Sequence, residues 1–301
     1  MTMRDRFYEV VREALEEDDR VAVVTAEIGT VPIGPHPRHF NVGIREQLMI
    51  GVAAGLALEG YRPVAHSYTP FLVERPYEML KLDLSHQDLG AILVSTGASY
   101  DAASSGRTHQ APEDVAAVAA LPGWTIHVPG HADELERLLR AVLGGDDRVY
   151  LRLSDEENHA RVEGDGRLVI VRGGRAGSPL VVAVGPTLGP VLEATTDLDV
   201  AVGYLATVRP FDGAGLRSAL GEGTDVVLVE PYLAGTSSGE VAVALVDHAH
   251  RLLALGVPNA EFRHYGSGPE HRAAHGLDAA GIRASLDRFL ASTERPRAEA
   301  K

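Results

Sequence analysis

Glu46 stands in the run Asn41-Val42-Gly43-Ile44-Arg45-Glu46-Gln47, directly ahead of an apolar, glycine-rich stretch from Leu48 to Gly60. That stretch predicts a helix with a carboxylate in its first turn, where the helix dipole tolerates negative charge. The other residues of the helix read as buried. Apolar surroundings disfavour a carboxylate's charged form. A carboxyl group that can hold a proton near neutrality suits proton-transfer chemistry. The chain has no cysteine, which removes disulfides, thiolate nucleophiles and cysteine-type zinc sites together.

The elements that must position Glu46 follow from hydrophobic patterning. Met3 to Glu16 has Phe7, Val10, Val11 and Ala14 at helical spacing. Val21 to Val24 is a short apolar run suited to a buried parallel strand. Further strands are expected at Pro63 to His66, Gly90 to Ser95, Thr125 to Val128 and Arg148 to Leu153. Helices are expected between them, at Pro76 to Leu84, after Pro112 and at Ala132 to Leu143. Strands alternating with helices imply a parallel sheet covered on both faces.

Beyond Ser154 the character changes. Residues 156–178 are charged and glycine-rich and read as a linker, although Leu168 to Val171 is strand-like. A second alternating cycle begins at Leu180. It has strands at Val200 to Leu205 and Val226 to Val229, and helices at Pro190 to Thr195, Gly213 to Leu220, Gly239 to Leu255 and Ala279 to Leu290. Residues 294–301 read as a frayed tail. The expected fold class is therefore α/β with two parallel-sheet domains, at 1–155 and 179–301. A 301-residue chain that is 45% hydrophobic can fill two such cores. A formal charge of −14 without a basic stripe argues against a nucleic-acid partner. The apolar runs are too short to span a bilayer, and charges interrupt the first residues. The expectation is a soluble cytoplasmic protein.

Several segments, in order and spacing, resemble the thiamine diphosphate-dependent transketolase family. They are Phe40 to Gly60, Ser67 to Tyr77, Gly106-Arg107-Thr108-His109-Gln110, Thr207 to Asp212 and Val229-Glu230, with Gly235 to Gly239 following. The resemblance is to the pyrimidine-binding and C-terminal domains of that family, and it covers nearly the whole chain. It implies that Glu46 hydrogen-bonds the cofactor's aminopyrimidine ring and drives its proton transfer. It implies that Phe71 packs on that ring and that Tyr68 belongs to the same pocket. Arg75, in the same segment, reads either as a cofactor-site residue or as an ion-pair partner of Glu74 or Glu78. His109 matches a histidine at the substrate end, where an imidazole can serve a substrate oxygen. Catalytic roles are thus expected for Glu46 and His109, cofactor contacts for Glu46, Tyr68, Phe71 and Arg75, and substrate contacts for His109, Arg107, Ser105 and His39.

The departures bear on the substrate. Ser104 and Ser105 stand where sugar-phosphate transketolases carry an acidic pair, and Gly97 where they carry a histidine. Asp155 stands where the family has a phosphate-binding arginine, with Arg152 nearby. Exchanging arginine for aspartate loses a charge-assisted fork. Arg107 is a candidate to restore a positive charge, for example toward a carboxylate.

The family holds the diphosphate through a divalent ion bound by a Gly-Asp-Gly segment and a later asparagine. Gly164-Asp165-Gly166 lies in the linker, and the sole later asparagine is Asn259, so an Asp-Gly turn is the plain reading. No metal ligand is assigned to this chain. The resemblance implies a separate subunit carrying the diphosphate-binding domain and holding magnesium or calcium. The assembly would be a heterotetramer on a central dimer, acting on a small molecule by ketol transfer. Two other readings stay open: a β-type subunit of a 2-oxo acid dehydrogenase first component, and a non-catalytic regulatory module. Gly106 to Gln110 and Tyr265 to Asp278 favour the transketolase side.

Overall fold

A computed structural model describes residues 1–261 and 263–292, and the tail at 294–301 lies outside the described residues. The first half contributes strands β1 (Val21–Thr25), β2 (His39–Asn41), β3 (Arg62–Tyr68), β4 (Ala91–Thr96), β5 (Trp124–His127) and β6 (Arg148–Arg152). The second half contributes β7 (Val169–Arg172), β8 (Leu180–Val184), β9 (Ala201–Leu205), β10 (Thr207–Arg209), β11 (Asp225–Leu233) and β12 (Arg251–Val257). They form two mostly parallel sheets, in the orders β10-β5-β6-β4-β3-β1-β2 and β12-β11-β8-β9-β7. The α/β class with two such sheets is as expected. Strands β1, β4 and β8 are buried along their whole length, which is why they read as continuous Val/Ile/Leu runs.

Alternation along a strand separates two cores. Val181 and Ala183 of β8 face one core, with Phe7, Val94 and Leu135. Leu180, Val182 and Val184 face the other, with Met49, Leu72 and Trp124. Each core draws on residues from both halves of the chain.

Two local expectations are corrected, and one strand pairing was not anticipated. Residues 156–178 are not simply a linker, because Val169–Arg172 pairs antiparallel with β9 as an edge strand. The strand-like run Leu168 to Val171 is thus a strand, shifted by one residue, within charged and glycine-rich flanks of the kind common around edge strands. The helix expected over Gly239 to Leu255 stops at Ala244, and the apolar run from Arg251 is strand β12. Gly256 shows why: a Cβ there would lie 2.6 Å from the carbonyl oxygen of Tyr232, so β12 closes tightly on its neighbour. Finally, Thr207–Arg209 leaves the second half and pairs antiparallel with β5 in the first sheet.

The parallel register brings several carboxyl strand ends to one edge. Thr25 pairs with His66, Tyr68 with Thr96, and Ser95 with Arg152. The loops after β1, β3, β4 and β6 all open on that edge, where open α/β sheets place their ligands. Among the described residues no helix is long and apolar enough to cross a membrane.

Candidate active site

Glu46 is the first residue of the helix Glu46–Leu58, and its side chain is 2% exposed. Its Oε2 accepts a hydrogen bond from Arg75 Nη1 at 2.7 Å. The buried acid is therefore not in purely apolar surroundings, and Arg75 pairs with it rather than with Glu74 or Glu78. The Arg75 guanidinium also lies over the Phe71 ring, 4.2 Å from its centroid. Phe71 meets His109 at 5.0 Å and Tyr68 at 6.2 Å, both edge-on, and Tyr68 meets His109 at 5.7 Å. Residues 46, 68, 71, 75 and 109 thus form one contiguous cluster.

Local backbone explains the convergence. Pro70–Glu74 is a π-helical turn closed by Arg75 N–H to the carbonyl of Pro70 at 3.0 Å. Such wide turns cluster at functional sites. This one brings Arg75 over the Phe71 ring and onto Glu46. Tyr68 lies flat against Gly97, where a Cβ would sit 2.6 Å from the tyrosine Cδ1, and Gly97 has φ +70°. The absence of a side chain at Gly97 therefore makes room for the Tyr68 ring.

Thr108 Oγ1 lies 3.3 Å from the carbonyl oxygen of Ser105 and 2.9 Å from His109 Nδ1, so the threonine hydroxyl fixes the orientation of the imidazole. No described residue hydrogen-bonds His109 Nε2.

Other expected substrate contacts lie elsewhere. Arg107 donates to Glu113 Oε1 and to the carbonyl of Gln110, both at 2.6 Å, and its Nε lies 3.8 Å from Glu261. Its fork is occupied by the start of the next helix and by the second half, so it does not join the aromatic cluster. Ser105 is exposed and contributes the carbonyl that orients Thr108. His39 donates from Nδ1 to the carbonyl of Gly34 at 2.7 Å, and its Nε2 meets Thr25 Oγ1 at 3.1 Å. Both ring nitrogens pin the loop after β1.

One charged group escaped the sequence reading. Arg4 is half-buried beside Tyr8, the Tyr68 hydroxyl and Asp155. Burial opposes its charge, but those three neighbours outweigh burial and hold its pKa above the ordinary value. Arg4 falls at helical spacing with Phe7, Tyr8 and Val11, so a cation on an apolar stripe was the available signal. Arg152 points inward instead. It donates to Asp114 Oδ2 at 2.7 Å and to Ser99 Oγ at 2.6 Å, fully buried. Tyr150 also donates to Asp114 at 2.6 Å, so the network ties the loop of His109 to β6. Among the described residues no group of three or more His, Asp or Glu side chains could hold a metal ion.

Behind Tyr68 sits His66, fully buried. Its Nδ1 donates to the carbonyl of Val94 at 2.8 Å, so Nε2 accepts from the Tyr8 hydroxyl at 3.3 Å. Burial, partly offset by the Val94 bond, lowers its pKa to about 4. The folded value lies below that of an unfolded histidine. The stability it contributes is therefore present above pH 6.5 and is lost as pH falls toward 4, about 3 kcal/mol in all. A ¹⁵N imidazole titration of the native protein is expected to show His66 neutral at pH 5. A midpoint near 6.5 would refute this environment.

Residues 1–159 match the family described as transketolase, pyrimidine binding domain. A protein described as an uncharacterized 33.6 kDa protein in the fasciation locus of Rhodococcoides fascians is 50% identical, over 92% of this chain and 91% of that one. One subunit of the apulose-4-phosphate transketolase of Actinobacillus succinogenes is 28% identical, over 93% of this chain and 94% of that one. A solved structure described as a split gene transketolase, inactive beta4 tetramer, shares the fold with TM-score 0.82 at 24% identity, covering 97% of this chain and 98% of that one. The chain spans about half the length of the 1-deoxy-D-xylulose-5-phosphate synthases it also matches.

Proposed function

The chain belongs to the family of transketolase pyrimidine-binding domains, and from that premise we propose that it is the subunit of a two-chain transketolase-type transferase that binds the aminopyrimidine half of thiamine diphosphate. The observation that carries this reading is the buried Glu46 carboxylate, joined to the Phe71 ring by the one guanidinium of Arg75 that meets both. These residues fit a flat, nitrogen-rich ring that stacks on one group and hydrogen-bonds another. When bound, thiamine diphosphate supplies an acidic carbon and an electron sink on its thiazolium ring.

The chain's own residues have separable tasks. Glu46 holds a proton toward the ring nitrogen. Phe71 and Tyr68 form the walls that fix the ring's plane. His109 donates from Nε2 to a substrate oxygen, with Thr108 at Nδ1 fixing its orientation. Arg4 supplies positive charge at the substrate end, beside the Asp155 that replaces the family arginine, which supports an anionic but atypical substrate.

The other half of the site is assigned to a separate diphosphate-binding chain, which would hold the magnesium or calcium ion. Near-complete coverage of one subunit of the apulose-4-phosphate transketolase supports the split. So do the exposed apolar residues Phe40, Ile44 and Leu48 flanking Glu46, a face suited to burial against another chain. The arrangement we favour is a heterotetramer on a central dimer.

The test is to co-purify the chain with its diphosphate-binding partner and assay ketoses, aldehydes and 2-oxo acids in parallel. Ketol transfer by the pair, with none by either chain alone, is the expected result. Turnover of 2-oxo acids alone would instead identify a 2-oxo acid dehydrogenase β-type subunit. No turnover, with modulation of another transketolase, would identify a regulatory module.

A further inference from the structure

We infer that Arg75 is a latch on the cofactor pocket. Its guanidinium holds both the Glu46 carboxylate and the Phe71 face, and it must release them before an aminopyrimidine can enter. This inference rests on the function proposed above.

A guanidinium and an aminopyrimidine share what the pocket recognises, for both are planar, rich in N–H donors and able to stack on an aromatic face. Arg75 makes the two contacts at once. Nη1 lies 2.7 Å from Glu46 Oε2, and the guanidinium carbon lies 4.2 Å from the Phe71 centroid. A side chain serving only surface electrostatics would have met the acids beside it in sequence. Glu74 precedes Arg75 and Glu78 follows three residues later, yet the ion pair formed is with Glu46, twenty-nine positions away.

The geometry also permits release. The Arg75 side chain is 39% exposed, whereas Glu46 is 2% exposed. The guanidinium therefore stands on the solvent side of the carboxylate and can swing into water without desolvation. Phe71 lies on the π-helical turn and Arg75, four residues on, caps its end, so the latch and the ring it covers share one backbone segment. A part-exposed ion pair and a cation–π contact are each modest, and together they favour the closed form by roughly ten to one. Apparent affinity for a ligand that needs the open form falls by the same factor. The latch would keep the acid partnered in the lone chain and hand it over on assembly.

The test uses thiamine, which presents the aminopyrimidine without the diphosphate. Thiamine is titrated into the full chain and followed by NMR, with the dissociation constant and the Arg75 Nε–H resonance as readouts. The expected results are a displaced Arg75 resonance, about tenfold tighter binding by Arg75→Ala, and an intermediate value for Arg75→Lys, which keeps the charge but not the plane. Equal or weaker binding by Arg75→Ala, or a resonance unmoved by bound thiamine, overturns the latch and leaves the proposed function standing. Thiamine binding by neither protein likewise overturns the latch, because removing the guanidinium should leave the half-pocket open, and it leaves the proposed function to the assay of the assembled pair.

Discussion

Glu46→Gln is expected to lower turnover of the reconstituted enzyme by about 10²–10⁴-fold, the range for losing a positioned proton-transfer group. Glutamine keeps the size of the side chain and its hydrogen-bonding capacity but cannot hold or release a proton. The substitution separates chemistry from stability because of where its partner sits. Arg75 is part-exposed, so it returns to water when the carboxylate charge is lost, and the fold loses about 1 kcal/mol or less. The matching measurement is kcat of the pair beside a urea unfolding curve of the variant chain. Turnover within tenfold of the native enzyme would mean that Glu46 only complements the helix dipole.

Asp114→Ala is expected to destabilise the chain by about 3–5 kcal/mol, the cost of leaving a buried charge without its partner. Asp114 and Arg152 are both fully buried, and Asp114 also receives the hydroxyl of Tyr150. Removing the carboxylate strands a guanidinium that no water reaches. The double substitution Asp114→Leu with Arg152→Met is expected to be less harmful than Asp114→Ala, because it removes both charges together. Denaturant midpoints of the three proteins decide the point, and an Asp114→Ala loss below about 1 kcal/mol would show that the pair is not isolated from solvent. The network also anchors Ser99, whose hydroxyl donates to the carbonyl of Pro231 at 2.5 Å, so the loop carrying His109 is braced against the second half.

Much of the fold was legible because buried parallel strands advertise themselves as short apolar runs. The places that misled are those where tertiary contacts override local pattern. The run Arg251 to Val257 continues an apolar stretch and has no period of its own that separates strand from helix. Only the close approach of Gly256 to β11 decides it. Strand β7 showed as the strand-like run Leu168 to Val171, but with three partly buried residues and one exposed it gave no sign of its pairing with β9. In the site, the resemblance to the transketolase family put Glu46, Tyr68, Phe71 and His109 into one expected pocket, and the structure places them in one cluster. Arg107 drew attention as an added cation, but Glu113, six residues on, captures it. Arg75 was ambiguous because sequence offers Glu74 and Glu78 as partners, while the π-helical turn turns it toward Glu46. Arg4 went unnoticed because a helix with a good apolar stripe invites attention to the stripe rather than to the charge within it.

The most direct measurement is a structure of the assembled enzyme with thiamine diphosphate bound. The account predicts a Glu46 carboxylate oxygen within about 3 Å of an aminopyrimidine ring nitrogen, the ring against Phe71, and the Arg75 guanidinium withdrawn from both. A cofactor whose pyrimidine ring lies away from Glu46, with Arg75 still across the carboxylate, would contradict it.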